Sequence, residues 1–117
     1  MKTNELTGAA LDWAVAKCEG VEFEVSNGGI FIPDEDGVDA PYQYSPSRSY
    51  NDAGRIIDRE GIDLRYRVGV NMTATINGQF EQTVGYREVE NPQLVAAMRC
   101  YVASQLGDEV ELPKEIV

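Results

Sequence analysis

The fold is decided by a stretch in the second half of the chain, residues 62–86, which reads IDLRYRVGVNMTATINGQFEQTVGY. Apolar and polar side chains alternate along most of it, as is typical of strands with one buried face. Asn77-Gly78 is the dipeptide that most strongly favours a two-residue hairpin turn. Gly69 is expected to mark a bulge or bend in the first arm. We therefore predict a long hairpin whose returning strand covers residues 80–86.

A helix is predicted at each end of the chain. The first begins after the N-cap Asn4 and ends at Gly20, since a polar cap and a terminal glycine are common helix boundaries. The last begins with the N-cap Asn91 and has Pro92 in the first helical position, where the missing N–H is not needed. Gly107 ends it. Both helices carry apolar residues at helical spacing, so each is expected to bury one face.

Between the first helix and the long hairpin lie a shorter hairpin and an irregular region. Residues 21–25 alternate in polarity, Asn27-Gly28-Gly29 is a turn signal, and the apolar run 30–32 can return as a second strand, which predicts the shorter hairpin. Residues 33–61 are expected to form an irregular central loop. Ser49 and Asp52 fit a capping box there, so one helical turn is expected, and Gly54 is expected to interrupt it.

This order of elements predicts an α+β fold. We expect an antiparallel sheet of about four to five strands, with the N-terminal and C-terminal helices packed on one face. The chain has 117 residues and contains neither a repeat nor a dividing linker, so residues 1–117 are expected to form a single domain.

Charge narrows the class of partner. The formal net charge is −10, and a negative surface repels phosphate backbones, so direct nucleic-acid binding is not expected. Acidity can simply confer solubility, or an acidic face can mimic nucleic acid and block a basic host protein. The sequence has neither a membrane-spanning apolar run nor a signal-peptide pattern. We therefore expect a cytosolic protein without a membrane partner.

The residue types argue against catalysis. There is no histidine, which removes the commonest general base and metal ligand. Cys18 and Cys100 lie too far apart in sequence for a metal or redox motif and are expected to be buried on helices. The acidic run at residues 34–37 resembles the start of a calcium loop, but Ser45 occupies the twelfth position, where glutamate is required. No enzyme activity, cofactor or metal is therefore predicted.

Three blocks of sequence are similar to a known family. They read LTGAALDWAVA (residues 6–16), YSPS (44–47) and AAMRCYVAS running into LGDEV (96–110). Together they resemble the NinX-like proteins, small proteins of temperate phages and prophages of enteric bacteria. The resemblance implies a phage accessory protein acting in a bacterial cytoplasm, and the family brings no assigned activity. The chain has Tyr50 where the family tends to have Trp, and Gly54-Arg55 where it tends to have Gly-Pro.

The positive charge is concentrated in the centre of the chain. Residues 45–67 carry five arginines and four acids, a balance of +1, whereas the rest carries −11. Tyrosines accompany these arginines, and together the two residue types can bind and stack on a nucleotide-like anion. The predicted ligand-binding residues are Tyr44, Ser47, Arg48, Tyr50, Arg55 and Arg59, with Trp13 as a stacking partner or a core residue. The alternative is that the arginines pair with neighbouring acids, namely Asp52, Asp58, Glu60 and Asp63.

Two functions from different classes follow. One is a counter-defence protein that sequesters a nucleotide-like immune signal. The other is an acidic inhibitor that binds a basic host protein through residues 34–39 and through Asp108, Glu109 and Glu111. A homo-oligomer is left open, with Arg99 and Tyr101 as candidates for a subunit seam.

Overall fold

The computed structural model describes residues 1–34 and 40–116 of the chain. Within these ranges the fold is α+β, with three helices and two three-stranded antiparallel sheets. No helix among the described residues has the length and apolar character needed to cross a membrane. In chain order the elements are α1 (Gly8–Glu19), β1 (Glu24–Ser26), β2 (Gly29–Ile32), β3 (Tyr42–Gln43), α2 (Tyr50–Glu60), β4 (Ile62–Arg67), β5 (Asn71–Ile76), β6 (Gln79–Gly85) and α3 (Pro92–Leu106).

The core is built around α3. All residues from 94 to 103 are buried, because this helix is apolar around most of its circumference and needs neighbours on several sides. It packs against β4, β5 and β6, and also against α1 and α2. The expectation of two terminal helices on one face of one sheet is only roughly met. The strands form two sheets rather than one, and α1 packs mainly on α3 and β2.

The predicted long hairpin is a three-stranded meander. Asn77-Gly78 forms the expected turn, with positive φ at both residues, as a type I′ turn requires. Gly69 does not make a bulge within one strand. It has a φ of +71° and lies in a second turn, which the Val70 N–H closes by donating to the Arg67 carbonyl at 2.9 Å. The first arm is therefore two strands, β4 and β5.

The central region is more regular than the sequence analysis predicted. Gly54 does not interrupt the helix after Ser49, and α2 continues through it to Glu60. The burial of Ala53 and Ile56 outweighs the helix penalty of one glycine, about 1 kcal/mol. Ser49 is the N-cap residue, but its side chain makes no capping hydrogen bond, so the predicted capping box is absent from this helix.

The first helix starts later than predicted. Residues 3–5 form a separate 3-10 turn, and α1 begins after Thr7 rather than Asn4. The Thr3 N–H donates to the Asp108 carbonyl at 2.7 Å, which ties this turn to the region after α3. Gly20 ends α1 as predicted, in the left-handed conformation that glycine adopts without strain.

The proposed subunit seam on α3 is wrong, because both of its residues lie inside the chain. Arg99 is 6% exposed and Tyr101 is 3% exposed. The Arg99 Nε–H donates to the Leu6 carbonyl at 2.8 Å, and burial lowers the pKa of this arginine. Arg99 therefore joins α3 to the start of the chain instead of facing solvent.

The two cysteines behave largely as expected. Cys100 is buried and Cys18 is half-buried, and neither forms a disulfide. Burial raises the pKa of each thiol to about 11. Both thiols therefore remain protonated and weakly nucleophilic at neutral pH.

Candidate ligand-binding site

The predicted site residues lie mostly along a segment that connects β3 to the end of α2. Its first four residues, 44–47, are buried and form what we call the corner. The Ser47 N–H donates to Asp12 Oδ1 on α1, and the Ser45 N–H donates to Asp52 Oδ2 on α2, each at 2.9 Å. Carboxylates from two helices thus satisfy buried backbone donors of the corner, and hold it in one place.

Asp12 is the buried anchor of the corner. It is 5% exposed, and burial raises its pKa from 3.8 to about 6. Hydrogen bonds from Ser47 and the charge of Arg48 act in the opposite direction, whereas the charge of Asp52 raises the pKa further. The ionised form is therefore less stable in the folded protein than in water.

At the far end of the segment lies a group that we call the closed end, formed by Arg59, Glu19 and Tyr101. Arg59 makes a two-pronged contact with Glu19, at 3.0 Å and 2.6 Å. The Tyr101 hydroxyl donates to the same carboxylate at 2.6 Å, and the guanidinium lies 5.7 Å from the Tyr101 ring centroid. Burial alone would raise the pKa of Glu19, but the hydrogen bonds from Arg59 and Tyr101 lower it below its usual value.

Two of the central arginines form ion pairs instead of being left available to a ligand. Arg59 also contacts Glu60 at 2.8 Å, and Arg65 contacts Asp63 at 3.3 Å. These two pairs are among those that the ion-pair interpretation predicted. Arg59 therefore uses its donors within the chain, and a ligand would have to displace Glu19 to reach them.

Near the corner lies a pocket of about 200 Å³, which we call the open end. It forms where α1 and α3 begin, because Gly8 and Asn91 both line it. Arg48 supplies a cation. The remaining lining residues are Thr7, Ser47 and Glu90, with Val89 and Val95 as its apolar part.

The electrostatics of the open end favour an anion. The N-cap residues Thr7 and Asn91 make no side-chain capping hydrogen bonds, so the first-turn N–H groups lack their usual side-chain acceptors. The positive ends of two helix dipoles lie at the same pocket. Arg48 is exposed and forms no salt bridge with any residue in the described ranges. Glu90 offsets one positive charge, so the helix ends contribute the excess.

Two of the predicted residues line a different pocket. Tyr44 and Arg55 border a cavity of about 150 Å³ together with Glu19 and Asp52. Its side chains carry more negative than positive charge, so it suits an anion less well than the open end. Burial raises the pKa of Tyr44 above its usual value, which keeps this hydroxyl protonated.

The last two predicted residues line neither pocket. Tyr50 is 56% exposed at the start of α2. Trp13 is half-buried and packs edge-on against Phe23, with ring centroids 6.5 Å apart, and Lys17 lies over its ring. Trp13 therefore has core and surface neighbours of its own, as the core-packing interpretation expected.

The structure thus divides the predicted set instead of bringing it together. Ser47 and Arg48 lie at the open end, and Arg59 lies at the closed end. Sequence reasoning missed the residues at the helix starts, Thr7, Gly8 and Asn91. Asn91 was recognised as a cap, but no local pattern indicates that two helix starts meet in space. Among residues 1–34 and 40–116, no group of three or more candidate ligands is placed to hold a metal.

The fold and the pocket define a small α+β protein with an anion-suited pocket between two helix N-termini. The chain belongs to a bacteriophage family, since the family model described as "Bacteriophage P22, NinX" matches residues 2–105. This confirms the resemblance found in the sequence. The match includes every residue that lines the open end. No curated protein matches the chain.

Proposed function

We propose that this phage protein acts by binding and sequestering a small, phosphate-bearing ligand of the nucleotide class. In this proposal it is a counter-defence protein that removes a nucleotide-like immune signal of the host, and it is not an enzyme. The observation that carries the proposal is the open end, where Arg48 shares a pocket of about 200 Å³ with the starts of α1 and α3.

Helix N-termini bind phosphates because backbone N–H groups and the helix dipole point at the anion together. Arginine adds a planar pair of donors that matches phosphate geometry. Ser47 is fixed by the bond from its N–H to Asp12, so the neighbouring Arg48 extends from an ordered backbone. Such preorganisation reduces the entropy lost on binding. The pocket has room for a phosphate and part of a sugar.

Sequestration fits this pocket better than turnover. The chain has no histidine, so the side chain best suited to moving protons near neutral pH is missing. Retaining an intact ligand requires only donors of suitable geometry, and the open end offers these.

Calorimetric titration with inorganic pyrophosphate and with adenosine 5′-diphosphate tests the proposal. Arg48→Ala is expected to weaken binding by about 10- to 100-fold, because it removes charge-assisted hydrogen bonds to phosphate. Arg55→Ala is the matched control, since it removes the same charge at the second pocket and should leave the affinity unchanged. The melting temperatures of both variants should stay near that of the unsubstituted protein.

Two results would contradict the proposal. If neither pyrophosphate nor adenosine 5′-diphosphate bound at millimolar concentration, the open end would not be a phosphate site. A larger loss from Arg55→Ala than from Arg48→Ala would move the site to the pocket of Tyr44 and Arg55.

A second candidate function rests on the surface after α3. Asp108, Glu109 and Glu111 are all exposed, so this stretch could contact a basic host protein. Of the other acidic stretch that the sequence suggested, residues 35–39 lie outside the described ranges. A complex captured from host lysate should weaken steeply as salt is raised. Insensitivity to salt would count against this candidate.

A further inference from the structure

One edge of the sheet formed by β4, β5 and β6 is regular, and no strand of residues 1–34 or 40–116 pairs with it. The strand order places β4 at one edge and β6 at the other. β4 pairs with β5 without a shift, from Ile62 opposite Ile76 to Arg67 opposite Asn71. In an edge strand, the N–H and C=O groups of every second residue point away from the sheet and are unpaired. Another strand can form hydrogen bonds with them.

The other edge is irregular. The pairing of β5 with β6 contains a register shift, and Phe80 on β6 has a φ of +58°, which is unusual for a bulky residue. Bulges of this kind bend an edge and discourage further pairing. β4 contains no proline, glycine or shift in register, so it is the edge suited to accept a strand.

The side chains of β4 complement a second copy of the same strand. Alternation places Asp63, Arg65 and Arg67 on the exposed face, and Ile62, Leu64 and Tyr66 on the face toward α3. In an antiparallel pair centred on Leu64, Asp63 lies opposite the second copy's Arg65, and this contact occurs twice by symmetry.

The neighbouring registers are worse. Centring the pair on Asp63 or on Arg65 puts identical charges directly opposite each other. Centring it on Tyr66 puts Arg65 opposite the second copy's Arg67. Like charges directly opposite each other destabilise a sheet. The Arg65-centred register also sets Asp63 opposite Arg67, so among these registers only the Leu64-centred one pairs opposite charges without opposing like charges.

The exposure of an apolar side chain and the local net charge both favour contact between two copies along β4. Tyr66 is 47% exposed although it lies on the face toward α3, and the Leu64-centred register sets it against the second copy's Ile62. Residues 62–87 carry three arginines and two acids, whereas the rest of the chain carries −11. Two copies of an acidic chain therefore meet with least repulsion at this region.

We propose that two copies of the chain pair antiparallel along β4, centred on Leu64, to form a continuous six-stranded sheet. The cross-strand contacts between Asp63 and Arg65 fix the register, in place of the exposed contact of 3.3 Å that these residues make within one chain. The open end lies on other elements, so this proposal does not depend on the proposed ligand.

A charge-swap experiment by sedimentation velocity, over a range of micromolar concentrations, tests the proposal. The unsubstituted protein is expected to show a monomer–dimer equilibrium. Asp63→Arg should raise the dimer dissociation constant by about tenfold or more, because it sets two pairs of arginines opposite each other. Arg65→Asp should raise the dissociation constant to a similar extent, because it sets two pairs of aspartates opposite each other. The double variant should return to within about threefold of the original value.

Glu81→Arg is the matched control, because it makes the same charge change on β6, at the other edge of the sheet. It is expected to leave the dissociation constant unchanged. A monomer at every concentration would overturn the proposal. So would a double variant that fails to restore association, or a Glu81→Arg variant that weakens it as much as Asp63→Arg. Circular dichroism of each variant establishes that the fold is retained.

Discussion

The open and closed ends use the same residue type at opposite ends of one helix. At the closed end, Arg59 binds Glu19, the last residue of α1, and so neutralises a carboxylate beside the negative end of the helix dipole. At the open end, Arg48 lies beside the start of α1, where the dipole is already positive. One arginine completes an internal ion pair. The other adds positive charge at the open end, where Glu90 supplies one carboxylate against Arg48 and two helix starts.

This difference shows that the environment of an arginine, rather than its presence in a cluster, indicates whether it can take a ligand. Arg59 and Arg48 were equivalent candidates in the sequence. Arg59 donates to Glu19, Glu60 and the Tyr101 hydroxyl. Arg48 forms no salt bridge with a described residue, although it shares the open end with Glu90 and its charge acts on buried Asp12. A binding site should therefore be sought where positive charge is left uncompensated by the fold.

The largest expected effect comes from Asp12, the anchor of the corner beside the open end. Asp12→Asn keeps the acceptor for the Ser47 N–H and removes the buried charge. Because the pKa of Asp12 is raised from 3.8 to about 6, the unsubstituted protein loses stability as pH rises from about 4 to about 6. At pH 7 the variant should therefore be more stable by about 2 to 3 kcal/mol, and below pH 4 the difference should vanish.

Urea unfolding of both proteins at acidic and neutral pH measures this difference. Asp12→Ala is the control, because it leaves the Ser47 N–H without an acceptor. It should be less stable than Asp12→Asn at both pH values, by about 1 to 3 kcal/mol. A difference between the Asn variant and the original protein that did not change with pH would show that Asp12 titrates normally.

The fold was predictable where the deciding signals are local. Asn91-Pro92 and Asn77-Gly78 dictate backbone conformation by themselves, and both boundaries are confirmed. Gly54 locally predicted a break in the helix. The helix continues through it, because the burial of Ala53 and Ile56 outweighs the low helix propensity of one glycine. The division of the strands into two sheets depends on packing around α3, which no short window of sequence contains.

The candidate site was predictable only in part. The tyrosine and arginine composition pointed to the segment that contains the corner, and Ser47 and Arg48 do line the open end. The other wall comes from Gly8 and Asn91, which are more than 80 residues apart in sequence. A helix start offers backbone N–H groups as well as side chains, so residue types alone could not reveal this wall.

An intermediate effect is expected at the closed end. Arg59→Ala removes the two-pronged contact with Glu19, and should lower the free energy of unfolding by about 1 kcal/mol at pH 7, because the pair is partly exposed. Since the pKa of Glu19 is lowered, this contribution is present at neutral pH and is lost as acid protonates the carboxylate. Arg48→Ala is the matched control, and a smaller loss is expected, because Arg48 forms no salt bridge with a described residue and contributes only its charge toward ionised Asp12.

Thermal unfolding at neutral and acidic pH measures both variants. Arg59→Lys should fall between the original protein and Arg59→Ala, because lysine keeps the charge but cannot make the two-pronged contact. If Arg48→Ala and Arg59→Ala lowered the melting temperature equally, the proposed difference between the two ends would be contradicted.

The smallest effect is expected in α2, the helix that joins the two ends. Gly54→Ala should stabilise the protein by about 0.5 to 1 kcal/mol, because alanine has the higher helix propensity and restricts the unfolded chain. A Cβ at Gly54 would lie more than 4 Å from every atom beyond the adjacent residues and the backbone of α2, so no tertiary contact opposes the gain. Gly61→Ala is the contrast, since Gly61 also has open space but a φ of +64°. It should destabilise by about 1 kcal/mol. Equal shifts in urea midpoint for the two substitutions would contradict this reasoning, because they would mean that backbone conformation does not decide the role of either glycine.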